Sequence, residues 1–123
     1  LNDSESILRA LLELHGILEA GGYPKAASEI GSLRSLGASS LDAQRSEFAR
    51  TITTDKYFWG GMGTIADLVM PTPQLEVRFA SAYLELAKAC ELAGLGPIYS
   101  KSIRRDFPGL LKYWRKRLAQ EDG

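Results

Sequence analysis

Three observations predict an all-α fold, a single-domain bundle of about five to six helices over residues 1–123. Apolar residues recur at three- and four-residue spacing in nearly every segment. The breaks between segments fall at Gly and Pro, and no stretch alternates apolar with polar as a half-buried strand would. With 45% hydrophobic residues, the chain can remove roughly two-thirds of its unfolded surface from water.

The first helix is predicted from about Asp3 to Ala20, where Ile7, Leu8, Leu11, Leu12, Leu14, Ile17 and Leu18 form one wide apolar face. Asp3 or Ser4 suits its cap, and Gly21-Gly22 suits its end, because glycine takes the left-handed conformation that closes a helix. Pro24 fits the first turn of a second helix, with Ala26, Ala27, Ile30, Leu33 and Leu36 inward and Gly37 as the stop. Ser39 with Asp42 resembles a capping box that opens a third helix on a sparse stripe of Leu41, Phe48 and Ile52. The stretch Asp55–Gly63 is the least helical of the chain. Thr64 with Asp67 suits another N-cap pair, followed by a short helix Ile65–Met70 and a stop at Pro71-Thr72-Pro73.

Gln74–Ala93 is the longest uninterrupted helical pattern. Leu75, Phe79, Ala82, Tyr83, Leu86, Cys90 and Ala93 form one stripe, and Val77, Ala80, Leu84 and Ala87 nearly fill the rest. A helix apolar almost all round belongs at the centre of a bundle. Gly94 and Gly96-Pro97 end it. A connecting turn carrying Lys101, Arg104 and Arg105 leads to a final helix capped by Asp106, with Pro108 in its first turn and Phe107, Leu110, Leu111, Trp114 and Leu118 inward.

Composition removes several functional classes. One His and one Cys exclude a cysteine-rich zinc site and a disulfide framework. No cofactor or metal is expected. Cys90, set among Ala89, Leu92 and Ala93, reads as a buried small hydrophobe. His15, with Glu19 one turn on, could serve acid–base chemistry, but it lacks a second His or a G-x-S-x-G turn, so a structural role is expected. No enzyme is predicted. No apolar run approaches the ~20 residues of a membrane span. No basic-then-apolar leader is visible, so the cytoplasm is the expected compartment.

The most unusual motif is Tyr57-Phe58-Trp59-Gly60-Gly61-Met62-Gly63-Thr64. Glycines ahead of a capped helix can expose N–H groups to an anion, but no Lys or Arg follows until Arg78 and the P-loop pattern is absent. The alternative is a tight reversal with the aromatic residues plugging the core beneath it. Gly60-Gly61-Met62-Gly63-Thr64 followed by Asp67-Leu68 resembles the G-G-M-G-[ST]-x-x-D-L signature of a family of small uncharacterised bacterial all-helical proteins. The similarity spans roughly residues 5–90. It implies a helical fold and a bacterial source and brings no established activity or catalytic residue with it. Small bacterial proteins of this build are often immunity partners of secreted toxins, an analogy of fold alone.

Charge placement is more informative than its total. The chain has 15 Lys+Arg and 15 Asp+Glu, a balance that argues against a protein coating nucleic acid in bulk. Residues 1–97 nevertheless carry a net −4, and residues 98–123 a net +4. The basic segment has two readings, complementation of a helix C-terminus or docking of phosphates or an acidic protein surface. The acidic face of residues 1–97 could instead cover a basic, nucleic-acid-cleaving site. The expected function is a non-catalytic, immunity-type protein that neutralises a cognate toxin by occluding it. Trp59, Gly60, Gly61, Met62, Lys101, Arg104, Arg105, Lys112, Arg115 and Lys116 are the candidate partner-binding residues. A nucleic-acid-binding or regulatory module using the basic segment is the alternative, with no helix-turn-helix spacing to favour it.

Overall fold

A computed structural model describes residues 3–59, 64–95 and 100–122. They form six α-helices and one short 3-10 turn, with no strand among the described residues. The helices are α1 (Asp3–Ala20), α2 (Pro24–Ala38), α3 (Asp42–Thr54), the single turn α4 (Lys56–Trp59), α5 (Pro73–Leu92) and α6 (Ser100–Asp122), with the 3-10 turn at Ile65–Asp67. Helices α1 and α5 are the central pair. Helix α2 lies against α1, α3 against α2, and α6 against α5.

The first helix ends as its glycines predict. Gly22 has φ 87°, the Gly21 N–H bonds the Ile17 carbonyl at 2.8 Å, and the Tyr23 N–H bonds the Leu18 carbonyl at 2.9 Å. These bonds satisfy the carbonyls that a helix end leaves open. Gly94 closes α5 in the same way, with φ 75° and Leu95 N–H on the Cys90 carbonyl at 2.8 Å. Helix α5 buries Phe79, Ala80, Ala82, Tyr83, Leu84, Leu86, Ala87, Ala89 and Cys90, which makes it the central helix its composition predicts.

Several boundaries differ from the sequence reading. Gly37 does not stop α2, which runs on to Ala38. It serves packing instead. A Cβ there would lie 2.9 Å from the Phe48 ring and 3.1 Å from Leu8, so glycine is what lets α3 and α1 approach α2. The Ser39–Asp42 capping box does not form. The Ser39 hydroxyl accepts from the Leu41 N–H, Leu41 is itself the N-cap without a side-chain bond, and it is 59% exposed rather than core. The helix expected at Ile65–Met70 is only the 3-10 turn, and Thr64 makes no side-chain cap there. Thr72 does cap: its hydroxyl accepts from the Leu75 N–H at 3.2 Å, and Pro73 occupies the first position of α5.

The largest correction concerns the C-terminal segment. Helix α6 begins at Ser100, not at Asp106, and carries Pro108 in its interior. It runs antiparallel to α5, since the Tyr83 and Phe107 rings sit 5.8 Å apart while Arg104 pairs with Glu91 one end further along. Ile103, Phe107 and Leu111 are buried. Leu110 is 37% exposed, and Trp114 and Leu118 are only half-buried, so the expected inward stripe is narrower than the sequence suggests. Among the described residues, no helix is long and apolar enough to cross a membrane.

Candidate functional site

The motif at the aromatic–glycine turn resolves first. Trp59 has no exposed surface and donates its indole N–H to the Ile52 carbonyl at 2.6 Å. It meets Phe58 edge-on at 5.1 Å and Tyr83 at 6.3 Å. The fully buried Tyr83 hydroxyl donates to the Phe58 carbonyl at 2.7 Å, so both buried polar atoms are satisfied at no cost in orphaned donors. Phe79 and Phe107 complete this aromatic core around Tyr83. Trp59 is therefore a core residue with no side-chain surface to offer a partner, which corrects its place among the docking candidates. Gly60, Gly61 and Met62 lie outside the described residues.

His15 is a strut between helices. Its Nδ1 lies 2.7 Å from the Ala27 carbonyl of α2, its Nε2 faces Glu19, and a Cβ at Gly31 would crowd the ring at 3.3 Å. Burial pushes the Cys90 thiol up to about 12, so the reactive thiolate is scarce at neutral pH. No cluster of three His, Cys, Asp or Glu side chains that could hold a metal exists among the described residues.

Glu76 is the only charged residue buried in the described core, at 5% exposed. Its Oε1 accepts from the Met70 N–H at 2.7 Å, which ties the segment before α5 to that helix. Burial pushes the carboxyl above the usual range, and the Met70 bond pulls part of the way back. The contact is structural. A shallow groove of about 570 Å³ runs between α1 and α5, floored by Ala10, Ala82 and Ala89 and edged by Arg9, Arg78 and Lys88. Sequence reasoning missed it. Its only trace there is the small residues on α5, which read equally well as close helix packing.

Helix α6 is where the predicted docking residues converge. Lys101, Arg104, Arg105, Lys112, Arg115 and Lys116 are all exposed. With about 100° between successive residues, all six fall within about 120° of the helix circumference, in an arc centred about 120° round from the buried Ile103, Phe107 and Leu111. At the usual rise the stripe is about 22 Å long. Arg104 meets Glu91 at 3.6 Å and Arg105 pairs with its neighbour Asp106 at 2.9 Å. Lys101, Lys112, Arg115 and Lys116 have no ion-pair partner among the described residues.

Helix-dipole complementation fails as the explanation for these charges. No basic residue lies in the last turn of α6, and the dipole interaction falls off within one turn. Lys101 lies in the first turn, at the end where a cation is disfavoured. The exposed apolar surface lies round from the stripe: Tyr113, about 60° beyond Lys116, is 50% exposed and packs edge-on to Trp114 at 5.1 Å, and the partly exposed Leu110 falls opposite the centre of the stripe. Comparison with protein families, curated proteins and solved structures finds no match for this chain.

Proposed function

We propose that this chain is a non-catalytic protein-binding module of the immunity type, a bacterial protein that neutralises a secreted toxin by covering it. The observation that carries the reading is the cationic face of α6, whose charges neither the dipole nor the core accounts for. Support also comes from residue types elsewhere on the same helix. Tyr, Trp and Arg are the side chains that dominate the energetics of protein interfaces, and Tyr113, Trp114, Arg115 and Arg117 stand in one run. The motif resemblance to a bacterial family adds the expected source.

The test is affinity capture with the tagged chain in its native host, together with inspection of the neighbouring genes. A stoichiometric protein partner encoded next to this chain, whose toxicity the chain suppresses, is the expected outcome. Recovery of no protein partner, with no toxin-like reading frame alongside, contradicts the reading.

A further inference from the structure

We infer that the cleft between α2, α3 and α4 takes the guanidinium of an arginine side chain presented by the partner, with Glu29 and Asp55 as its acceptors. The inference rests on the protein-binding reading for the source of the arginine. It adds a second contact, separate from the stripe of α6. The cleft encloses about 240 Å³, with Leu33 and Phe58 on its apolar side and Glu29, Thr51, Asp55 and Tyr57 on its polar side. Glu29 is only partly buried as a residue, yet its Oε2 is sealed from solvent and has no hydrogen-bond partner among the described residues. The Tyr57 hydroxyl faces the same carboxylate. Asp55 accepts the Tyr57 N–H at 3.0 Å through Oδ1, which fixes the second carboxylate at the start of α4. Neither acid has an ion-pair partner among the described residues. Lys25 and Lys56, the cations nearest to them in sequence, are exposed.

A buried carboxylate oxygen without a donor is costly, and folded proteins satisfy nearly all such atoms. Two carboxylates in one small cleft favour a cationic donor over a neutral one. The cleft is smaller than the about 300–1,000 Å³ of sites that hold a whole small-molecule ligand. It is several times the roughly 30 Å³ share of one water, so its size suits a single side chain. A metal ion needs a fuller donor set, and no three His, Cys, Asp or Glu side chains converge among the described residues. Of the two basic side chains, arginine suits the cleft better. Its planar fork can give to Glu29 Oε2 and to Asp55 at once, and its weakly hydrated face can lie on the Tyr57 ring. A lysine ammonium is a compact, strongly hydrated charge and loses more on leaving water. Proteins that act on nucleic acid present arginines on their working surface, so an arginine held in the cleft fits the covering of such a surface. The net −4 of residues 1–97 steers a cationic surface to the part of the chain that carries the cleft.

The test titrates the isotope-labelled chain with N-acetyl-arginine methylamide and with its lysine and citrulline counterparts, followed by amide NMR. Citrulline keeps the shape of arginine and removes the charge. Saturable shifts centred on Glu29, Thr51, Asp55 and Tyr57 are expected, with the arginine probe binding roughly tenfold or more tightly than either counterpart. Glu29→Gln keeps the size of the side chain and is expected to weaken the arginine probe roughly tenfold. Glu85→Gln, at an exposed acid outside the cleft, is expected to leave binding unchanged. Circular dichroism confirms the fold of each variant. Equal affinity for the lysine or citrulline probe, unchanged affinity in Glu29→Gln, shifts that do not saturate, or no shifts at the cleft overturns the inference. A native partner that Glu29→Gln captures as well as the parent does also overturns it and leaves the protein-binding reading standing. Failure to capture any partner removes that reading and, with it, the source of the arginine.

Discussion

Helices α5 and α6 lie side by side and have similar lengths, 20 and 23 residues, yet the fold uses them differently. Helix α5 turns nearly every face inward, against α1 on one side and α6 on the other, and its side chains are accounted for by packing. Even its buried carboxylate, Glu76, has a structural partner. Helix α6 gives the core one stripe, Ile103, Phe107 and Leu111, and turns two groups of cations outward, Lys101, Arg104 and Arg105 before Pro108 and Lys112, Arg115 and Lys116 after it. Stability explains the sequence of α5. It does not explain the Lys and Arg of α6, and the proposed docking role rests on that difference.

Substitutions that should affect only the packed side sharpen the contrast. Phe79 is buried in α5 and touches the Tyr83 ring at 5.2 Å. Phe79→Ala is expected to lower unfolding free energy by about 3–5 kcal/mol, measured by denaturant titration. Gly37→Ala forces a methyl against Phe48 and Leu8. The expected cost is about 1–3 kcal/mol from overpacking, partly offset by the better helix propensity of alanine, so its melting temperature falls by less than that of Phe79→Ala.

Glu76→Gln probes the same region through pH. Burial raises the folded-state carboxyl above its unfolded value, so between those two values the folded state binds more protons than the unfolded state. The Glu76 contribution therefore becomes unfavourable as pH rises through that window, and the penalty persists above it. Glutamine keeps an oxygen acceptor for the Met70 N–H without the buried charge. The variant is expected to be more stable than the parent at pH 7, with the advantage shrinking to near zero below the ordinary glutamate range of about 4.3. Melting temperatures of both proteins across pH check this. A parent more stable at pH 7 means that the N-terminus of α5, which favours a negative charge, outweighs burial.

The sequence makes legible those features that depend on local chemistry. Glycines at positions 22 and 94 end α1 and α5 because left-handed backbone is needed there, and the all-round apolar pattern of Gln74–Ala93 gives the central helix. Gly37 was misread because a helix-stop glycine and a close-packing glycine look identical until Phe48 of another helix is placed beside it. The start of α6 was misread because Asp106 and Pro108 together imitate a helix N-terminus. Pro108 sits instead on the exposed side of α6, where the carbonyl left without an N–H partner can bond to water. Of the candidate site, the six cations were visible as a cluster, but not that they share one face. Alignment depends on the helix starting at Ser100. Burial of Trp59 was legible as one of two readings of its motif, aromatic residues plugging the core beneath a tight reversal. The sequence also left Trp59 among the docking candidates, because an aromatic next to glycines is consistent with an exposed loop too.

The central claim is that the outward cations of α6 do not stabilise the fold. It is tested most directly by the unfolding free energy of a variant carrying Lys101→Gln, Lys112→Gln, Arg115→Gln and Lys116→Gln, measured at low and high salt. The account predicts stability equal to the parent within about 0.5 kcal/mol, or slightly higher at low salt where repulsion is least screened. A loss well beyond that margin at low salt would show that the charges serve the fold and contradict the account.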